Sequence, residues 1–449
     1  MAQFRFPSDH LIPEPPLTPT QWADQYRIIG NTSPFPGQYR SSLVPFAREP
    51  LDALADPDLE QVDVMAPAQV FKTENMLNFI GYVIDHDPSP LMVVVPRDED
   101  IGEWSNIRCK GMVDITPALQ KHVTGKEDDL AGHIFQFDRM LIKFATSNSP
   151  AALASTPIRY VLFDEVDKYP QFAGREADPI RLGRERTRSF PTGKIVLAST
   201  PTVELGTINQ EFQKSDKRRY WVPCPHCGVY QVLFFGDKTG PVPLSTRGRV
   251  RWPESVTPDQ IRMDRLAWYE CGACKVRIDE AHKTWMVDRG VWCPEGCSVD
   301  ISGQIQGKIP LTTHRGYQIN ALYAPWIKRS WSVIAAEFLE CKDDPGLLLG
   351  WVNSTMGEPW RNDVKQSKKE DLTRLIGGYE VGEIPDGALI LTAAVDVQKG
   401  YFLWSITGWG YRMESWLIRH GRSDTLEDLV EEVLNTSYQT SSGKQKRVR

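Results

Sequence analysis

Two Cys-x-x-Cys turns, Cys224-Pro225-His226-Cys227 and Cys271-Gly272-Ala273-Cys274, constrain this chain more than any other feature. Four thiolates at this spacing suit a tetrahedral structural Zn²⁺ site of the zinc-ribbon kind, whose ion would bring two distant points of the chain together. A closed site of this type contributes folding free energy on the order of 10 kcal/mol. The competing reading is a pair of surface turns without metal. Cys293 and Cys297 could replace one pair or hold a second ion, and we read them as bystanders; Cys109 and Cys341 read as buried thiols. The eight cysteines do not form a disulfide framework, and Met1 to His10 lacks the apolar core of a secretory signal. Both observations point to a reducing cytoplasm.

At 449 residues the chain is too long for one compact domain. Short apolar strands alternate with helical stretches over its first half. Val62 to Met65 reads as a strand, Lys72 to Asp85 as a helix, Leu91 to Val95 as a buried strand, and Arg97 to Lys110 as the next helix. His133 to Phe137 and Met140 to Phe144 read as paired strands. Ile158 to Phe163 and Ile195 to Ala198 are further buried strands flanking a charged helix, Asp178 to Ser189. This alternation implies an α/β domain with a mostly parallel sheet. From about Arg218 to Trp292 the pattern breaks into short, turn-rich pieces. Val333 to Phe338 reads as helical and Lys368 to Asp386 as a linker, after which Leu389 to Arg419 restarts as a β-rich meander.

A strand, a small-residue loop and a helix opening with Lys72-Thr73 is the layout of a phosphate-binding loop. Its backbone N–H groups would cradle phosphates, Lys72 would reach the β and γ oxygens, and the Thr73 hydroxyl would bind Mg²⁺. Glycine usually occupies both ends of such a loop, where this chain has Ala66 and Phe71. A Phe resists the positive φ of a glycine, and its ring would crowd the phosphates. An ordinary strand-to-helix turn is the competing reading. The strand Tyr160 to Phe163 ends in Asp164-Glu165, where Asp164 would hold Mg²⁺ and Glu165 would act as general base. Ser199-Thr200, at the tip of a neighbouring strand, could sense the γ-phosphate or simply cap a following helix.

Net charge is −6 with a pI near 5.9, so DNA binding would need a local basic patch on an acidic chain. No apolar run is long enough for a membrane span. Asp396 lies inside the apolar strand Ala393 to Gln398, and a carboxylate buried there needs a partner or a metal. RNase H-like nucleases place their first Mg²⁺ ligand in this setting. Glu414 is the local partner on offer; the competing reading is a relic strand that holds no metal.

Together these pieces resemble the lambda-type (GpA-like) phage terminase large subunit family. The resemblance runs from Leu17 to Arg27 and Pro36 to Arg40, through Ala68 to Glu74, Leu162 to Asp167 and Arg219 to Gly228. It continues in Gly316-Tyr317-Gln318, Leu322 to Trp326, Gly357 to Trp360 and Ala394 to Gln398. It implies an ATP-driven motor that works with a small subunit and the portal protein, cuts concatemeric double-stranded DNA and pumps it into the procapsid. Lys72 and Thr73 then take the Walker A roles within Gln69-Val70-Phe71-Lys72-Thr73, Asp164 and Glu165 the Walker B roles, Ser199-Thr200 the coupling role, and Asp396 the first nuclease ligand. Tyr39 and Arg40 fall where an adenine contact is expected. Arg184 or Arg186 could act as a finger between subunits of a homo-oligomeric ring, or belong to a solvated helix face. Active members carry Gly where Phe71 stands, and the nuclease domain stops short. The implied organisation is a lead-in segment (1–60), an ASCE-type P-loop ATPase core (61–217), a zinc-ribbon-like insertion (218–300), a lid or linker (301–387) and a partial RNase H-like nuclease domain (388–449). ATP, Mg²⁺ and structural Zn²⁺ are the implied cofactors, and the host bacterial cytoplasm the implied location. A zinc-stapled scaffold without ATP turnover is the alternative. A helicase would show a second motor core, and none is visible in the sequence.

Overall fold

A computed structural model of the chain describes residues 17–31, 33–126, 128–154, 156–171, 173, 178–236, 247–361, 377–398, 400–440 and 442–448. Residues 1–16 of the expected lead-in, 368–376 of the expected linker and Arg449 of the tail lie outside the described residues. The chain divides into two compact units, Met1–Arg361 and Asn362–Arg449.

The first unit is built on a large sheet, eleven-stranded among the described residues. Its parallel strands are β1 (Gln61–Met65), β2 (Leu91–Val95), β3 (Leu141–Thr146), β4 (Tyr160–Asp164), β5 (Lys194–Ser199), β6 (Arg218–Pro223) and β7 (His314–Gln318). The spatial order is β6-β7-β1-β5-β4-β2-β3, every neighbouring pair parallel. β1, β2, β4 and β5 are buried along their whole length, in keeping with the apolar runs of β2, β4 and β5. The expected hairpin is present, Ile134–Gln136 pairing antiparallel with β3. One strand, β5, separates β1 from β4, the arrangement expected of an ASCE-type ATPase.

Two of these strands lie outside the 61–217 range. β6 falls at the start of the segment read as a zinc-ribbon insertion, and β7 in the segment read as a lid. His314-Arg315-Gly316-Tyr317-Gln318 lacks the aliphatic run that marks a central parallel strand, so periodicity passes over it. The stretch from Arg97 to Lys110 is helical, with α-helix over Asp98–Gly102 and a π-helical turn over Glu103–Lys110.

Helix α1 (Pro19–Tyr26) starts on a capping box between Thr18 and Gln21 and packs on α2 (Lys72–Asp85). The Trp22 indole donates to Asp85 across 2.9 Å. A Cβ on Gly81 would meet the Trp22 ring at 2.2 Å, so α2 needs glycine there despite its low helix propensity. Burial would raise the Asp85 carboxyl, but hydrogen bonds from Lys121, Trp22 and His122 hold it down at about 2.

The second unit contains the antiparallel meander β8 (Ile390–Gln398), β9 (Tyr401–Trp409) and β10 (Ser415–Ser423). Trp404, Ile406 and Ile418 pack with Leu429 and Val433 in its own core.

Candidate functional site

The loop 66–71 joins β1 to α2, and the left-handed position in it is Gln69, with φ 56°, not Phe71. Phe71 has φ −164°, ordinary extended backbone. Its ring is buried and packs edge-on against Phe46, centroids 5.6 Å apart. The expectation that Phe71 would be forced into glycine's conformation and crowd the loop is therefore corrected. The side chain turns into the core, and strain falls on the exposed Gln69, whose carbonyl accepts from the Trp326 indole at 3.3 Å.

Lys72 opens α2 and is buried. Its Nζ donates to the carbonyls of Ala66 (2.8 Å) and Pro67 (3.0 Å) and to the Thr200 hydroxyl (2.7 Å), and lies 3.7 Å from Glu165. Burial lowers its pKa, and the charges of Glu165 and Asp164 partly restore it. Thr73 is half-buried in the first turn of α2, and Val70 is buried in the core.

Parallel registry sets the opposite wall. Met65 pairs with Ser199, and Ala198 with Asp164, so the carboxyl ends of β1, β5 and β4 are level. Asp164 is buried. Its Oδ2 accepts from the Trp104 indole at 2.9 Å, while its Oδ1 is buried without a hydrogen-bond partner among the described residues. Burial, and then the charge of Glu165, push the Asp164 carboxyl up to about 6. An orphaned carboxylate oxygen fits a divalent cation. Glu165 adopts the left-handed conformation (φ 54°), its N–H donating to the Ala198 carbonyl at 2.7 Å, which turns the chain sharply so that its carboxylate meets Lys72.

Ser199 is fully buried and accepts from the Asp167 N–H, while Thr200 accepts from Lys72. Asp167 itself accepts from the N–H and hydroxyl of Thr202 and the N–H of Ile208, pinning the loop after β5. Neither this role nor that of Trp104 carries a sequence signature. Tyr39 is buried and Arg40 exposed. Burial, then Asp24 and Glu74, push the Tyr39 phenol up, so it stays neutral. Arg184 donates to Gln61 at 2.7 Å and pairs with Glu211 at 3.3 Å, at the opposite end of β1 from the phosphate loop. The Arg186 carbonyl accepts from Ile158.

The two cysteine turns meet. Cys224 Sγ lies 3.9 Å from Cys274 Sγ, and Cys227 Sγ 3.9 Å from Cys271 Sγ. All four sulfurs lie within 4.8 Å of one another. Four sulfurs about 2.3 Å from a tetrahedral Zn²⁺ stand roughly 3.8 Å apart, so the donor set fits the ion. Both turns fold alike. Gly228 N–H donates to the Cys224 carbonyl and Lys275 N–H to that of Cys271, each donor at positive φ. Cys293 and Cys297 do not join this cluster.

A second donor group, Asp63, Glu211 and His314, was not foreseen. Asp63 is the fully buried carboxylate in a strand interior, held by His314 at 2.5 Å and Gln61 at 2.9 Å. Glu211 is matched by Arg184 and Lys214. The network satisfies itself without an ion. Asp396 reverses the expectation of a buried strand. β8 forms, but residues 394–398 are exposed, and the Asp396 carboxylate accepts from Gln398 at 2.6 Å. Among the described residues no cluster of metal donors includes Asp396 or Glu414, so the residues present do not fit a two-metal centre.

The chain matches the family model described as phage terminase large subunit gpA, ATPase domain, over residues 33–292. Residues 314–449 match the terminase large subunit gpA endonuclease domain. It is 26% identical to the terminase large subunit of Escherichia phage lambda over 95% of this chain and 67% of that protein. It is 23% identical to that of Enterobacteria phage P21 over 96% and 67%. Among solved structures, the large terminase of bacteriophage HK97 aligns with a TM-score of 0.42 and 11% identity, covering 92% of this chain and 69% of that one. The ATPase domain of the Thermus phage P74-26 large terminase aligns at 0.35 and 11%, covering 69% and 92%.

Because its ring is a core contact, Phe71→Gly should destabilise the first unit by about 3–5 kcal/mol in denaturant unfolding. Unchanged stability would place the ring outside the core.

Proposed function

The chain belongs to the gpA family of phage terminase large subunits, with its ATPase and endonuclease domains, and from that premise we propose that it hydrolyses ATP at the Lys72–Glu165 edge to drive double-stranded DNA into a procapsid. The observation that carries this reading is the buried, unpartnered Oδ1 of Asp164, on the same turn as the carboxylate that faces Lys72. The residues divide the work by chemistry. The Gln69 to Thr73 backbone, at the start of α2, offers N–H groups to phosphate oxygens. Lys72, held by two carbonyls and a hydroxyl, would exchange them for the β and γ oxygens. The Thr73 hydroxyl and Asp164 Oδ1 would hold Mg²⁺, which when bound neutralises charge on those oxygens. Glu165 would orient a water and take its proton, its pairing with Lys72 having to open first. Thr200, already bonded to Lys72, would report the state of the phosphates to the loop that Asp167 pins.

Further assignments rest on the family. Tyr39 and Arg40 would flank the base, and Arg184 or Arg186 would act between subunits of a homo-oligomeric ring. The small subunit and the portal protein are the partners, and the host cytoplasm the location. No helix among the described residues is long and apolar enough to cross a membrane. By family position Asp396 corresponds to the first nuclease ligand, and the donors around it among the described residues do not complete a metal site. The four cysteines would hold one structural Zn²⁺, which would tie the end of β6 to the strand Trp268–Glu270.

Mg-ATP hydrolysis by the purified chain should be lost in Lys72→Ala. Glu165→Gln should lower turnover by about 10²–10⁴-fold while keeping nucleotide affinity. Turnover unchanged in Lys72→Ala would remove the site from this edge. For the staple, one zinc per chain should be found by elemental analysis. Cys227→Ser should lose it and melt at a lower temperature, since structural Zn²⁺ binding is on the order of 10 kcal/mol of folding free energy. A metal-free parent with the same melting point would overturn this.

A further inference from the structure

Trp104 is almost fully buried on the π-helical turn Glu103–Lys110, 60 residues before the carboxylate it touches. Its indole N–H is one neutral donor that can neither accept nor titrate. By taking Oδ2 of Asp164 it fixes the carboxylate's rotation about its last bond and leaves Oδ1 as the oxygen without a partner among the described residues. The ring is fixed in turn. The Arg108 guanidinium lies over it, 5.3 Å from the centroid, and is tied to Glu103 on the same turn. A π-turn inserts an extra residue into the helical register and re-aims side chains, a distortion that proteins retain mostly at functional positions.

We infer that Trp104 is a positioning residue for the magnesium-binding carboxylate: its indole N–H aims Asp164 Oδ1 at the cation of a magnesium–nucleotide complex. The inference rests on the ATPase reading of this edge and deepens it. A buried tryptophan kept only for packing would act equally on nucleotide with and without the metal. A tryptophan that orients the ligand acts on the metal-dependent part alone.

The full-length chain and Trp104→Phe, which keeps an aromatic ring under Arg108 but removes the donor, are titrated with ADP by calorimetry in EDTA and then over a range of Mg²⁺ concentrations. The expected result is equal ADP affinity without magnesium, and a magnesium requirement raised about tenfold in the variant, as for loss of one hydrogen bond to a charged group. Equal magnesium dependence in the two proteins overturns the inference and leaves the ATPase reading intact. So does a loss of ADP affinity of the same size with and without the metal. A parent that binds no nucleotide overturns both. If Trp104→Phe does not fold, the parent alone decides. One of its indole N–H resonances, protected from solvent exchange, should shift with Mg²⁺ and ADP together and not with ADP alone. No such shift would overturn the proposal.

Discussion

Parallel registry between β1, β5 and β4 is the constraint on which the site depends. Met65 opposite Ser199 and Ala198 opposite Asp164 bring three chain reversals to one edge at one height. Each reversal then contributes a different chemistry: a cation from the start of α2, carboxylates from the turn after β4, and hydroxyls from the end of β5. A one-residue slip in any of these strands would turn its last side chain to the other face of the sheet. The long, fully buried strands are therefore the means by which Lys72, Asp164 and Thr200 are delivered together, as well as the core.

The edge is held closed by its own atoms. Lys72 bonds the loop carbonyls and Thr200 and faces Glu165, so the cation that would meet a phosphate already has four oxygens around it. Strain sits at two places, Gln69 and Glu165, both in the left-handed region where neither side chain is favoured. Gln69 lies in the loop that ends at Lys72, and Glu165 faces Lys72. The unusual Phe71 is not one of these strained points. It anchors the end of the loop to Phe46, a hydrophobic contact in the position where glycine would give only freedom.

Much of this was legible in the sequence, for identifiable reasons. Apolar runs announced β2, β4 and β5, Val62 to Met65 read as a strand at β1, and the cysteine spacing announced a meeting that the sulfurs make at 3.9 Å. β7 was not legible, because His314, Arg315 and Gly316 carry no strand pattern; its place is fixed by pairing with β1 and β6. The sequence suggests a buried mid-strand carboxylate at Asp396, and the structure has one at Asp63. Both lie in apolar strands, and only tertiary packing distinguishes the strand covered on both faces from the one whose end is exposed. Trp104 acts across a long sequence separation through one hydrogen bond and Asp167 through three, which no local pattern encodes.

Hydrogen exchange of the full chain with and without Mg-ADP tests most directly whether this edge is a nucleotide site. Slowed exchange at amides 66–73, 164–169 and 199–203, lost in Lys72→Ala, is the expected result. Exchange at those amides unchanged by nucleotide in the parent would contradict an ATPase centre at the carboxyl ends of β1, β4 and β5.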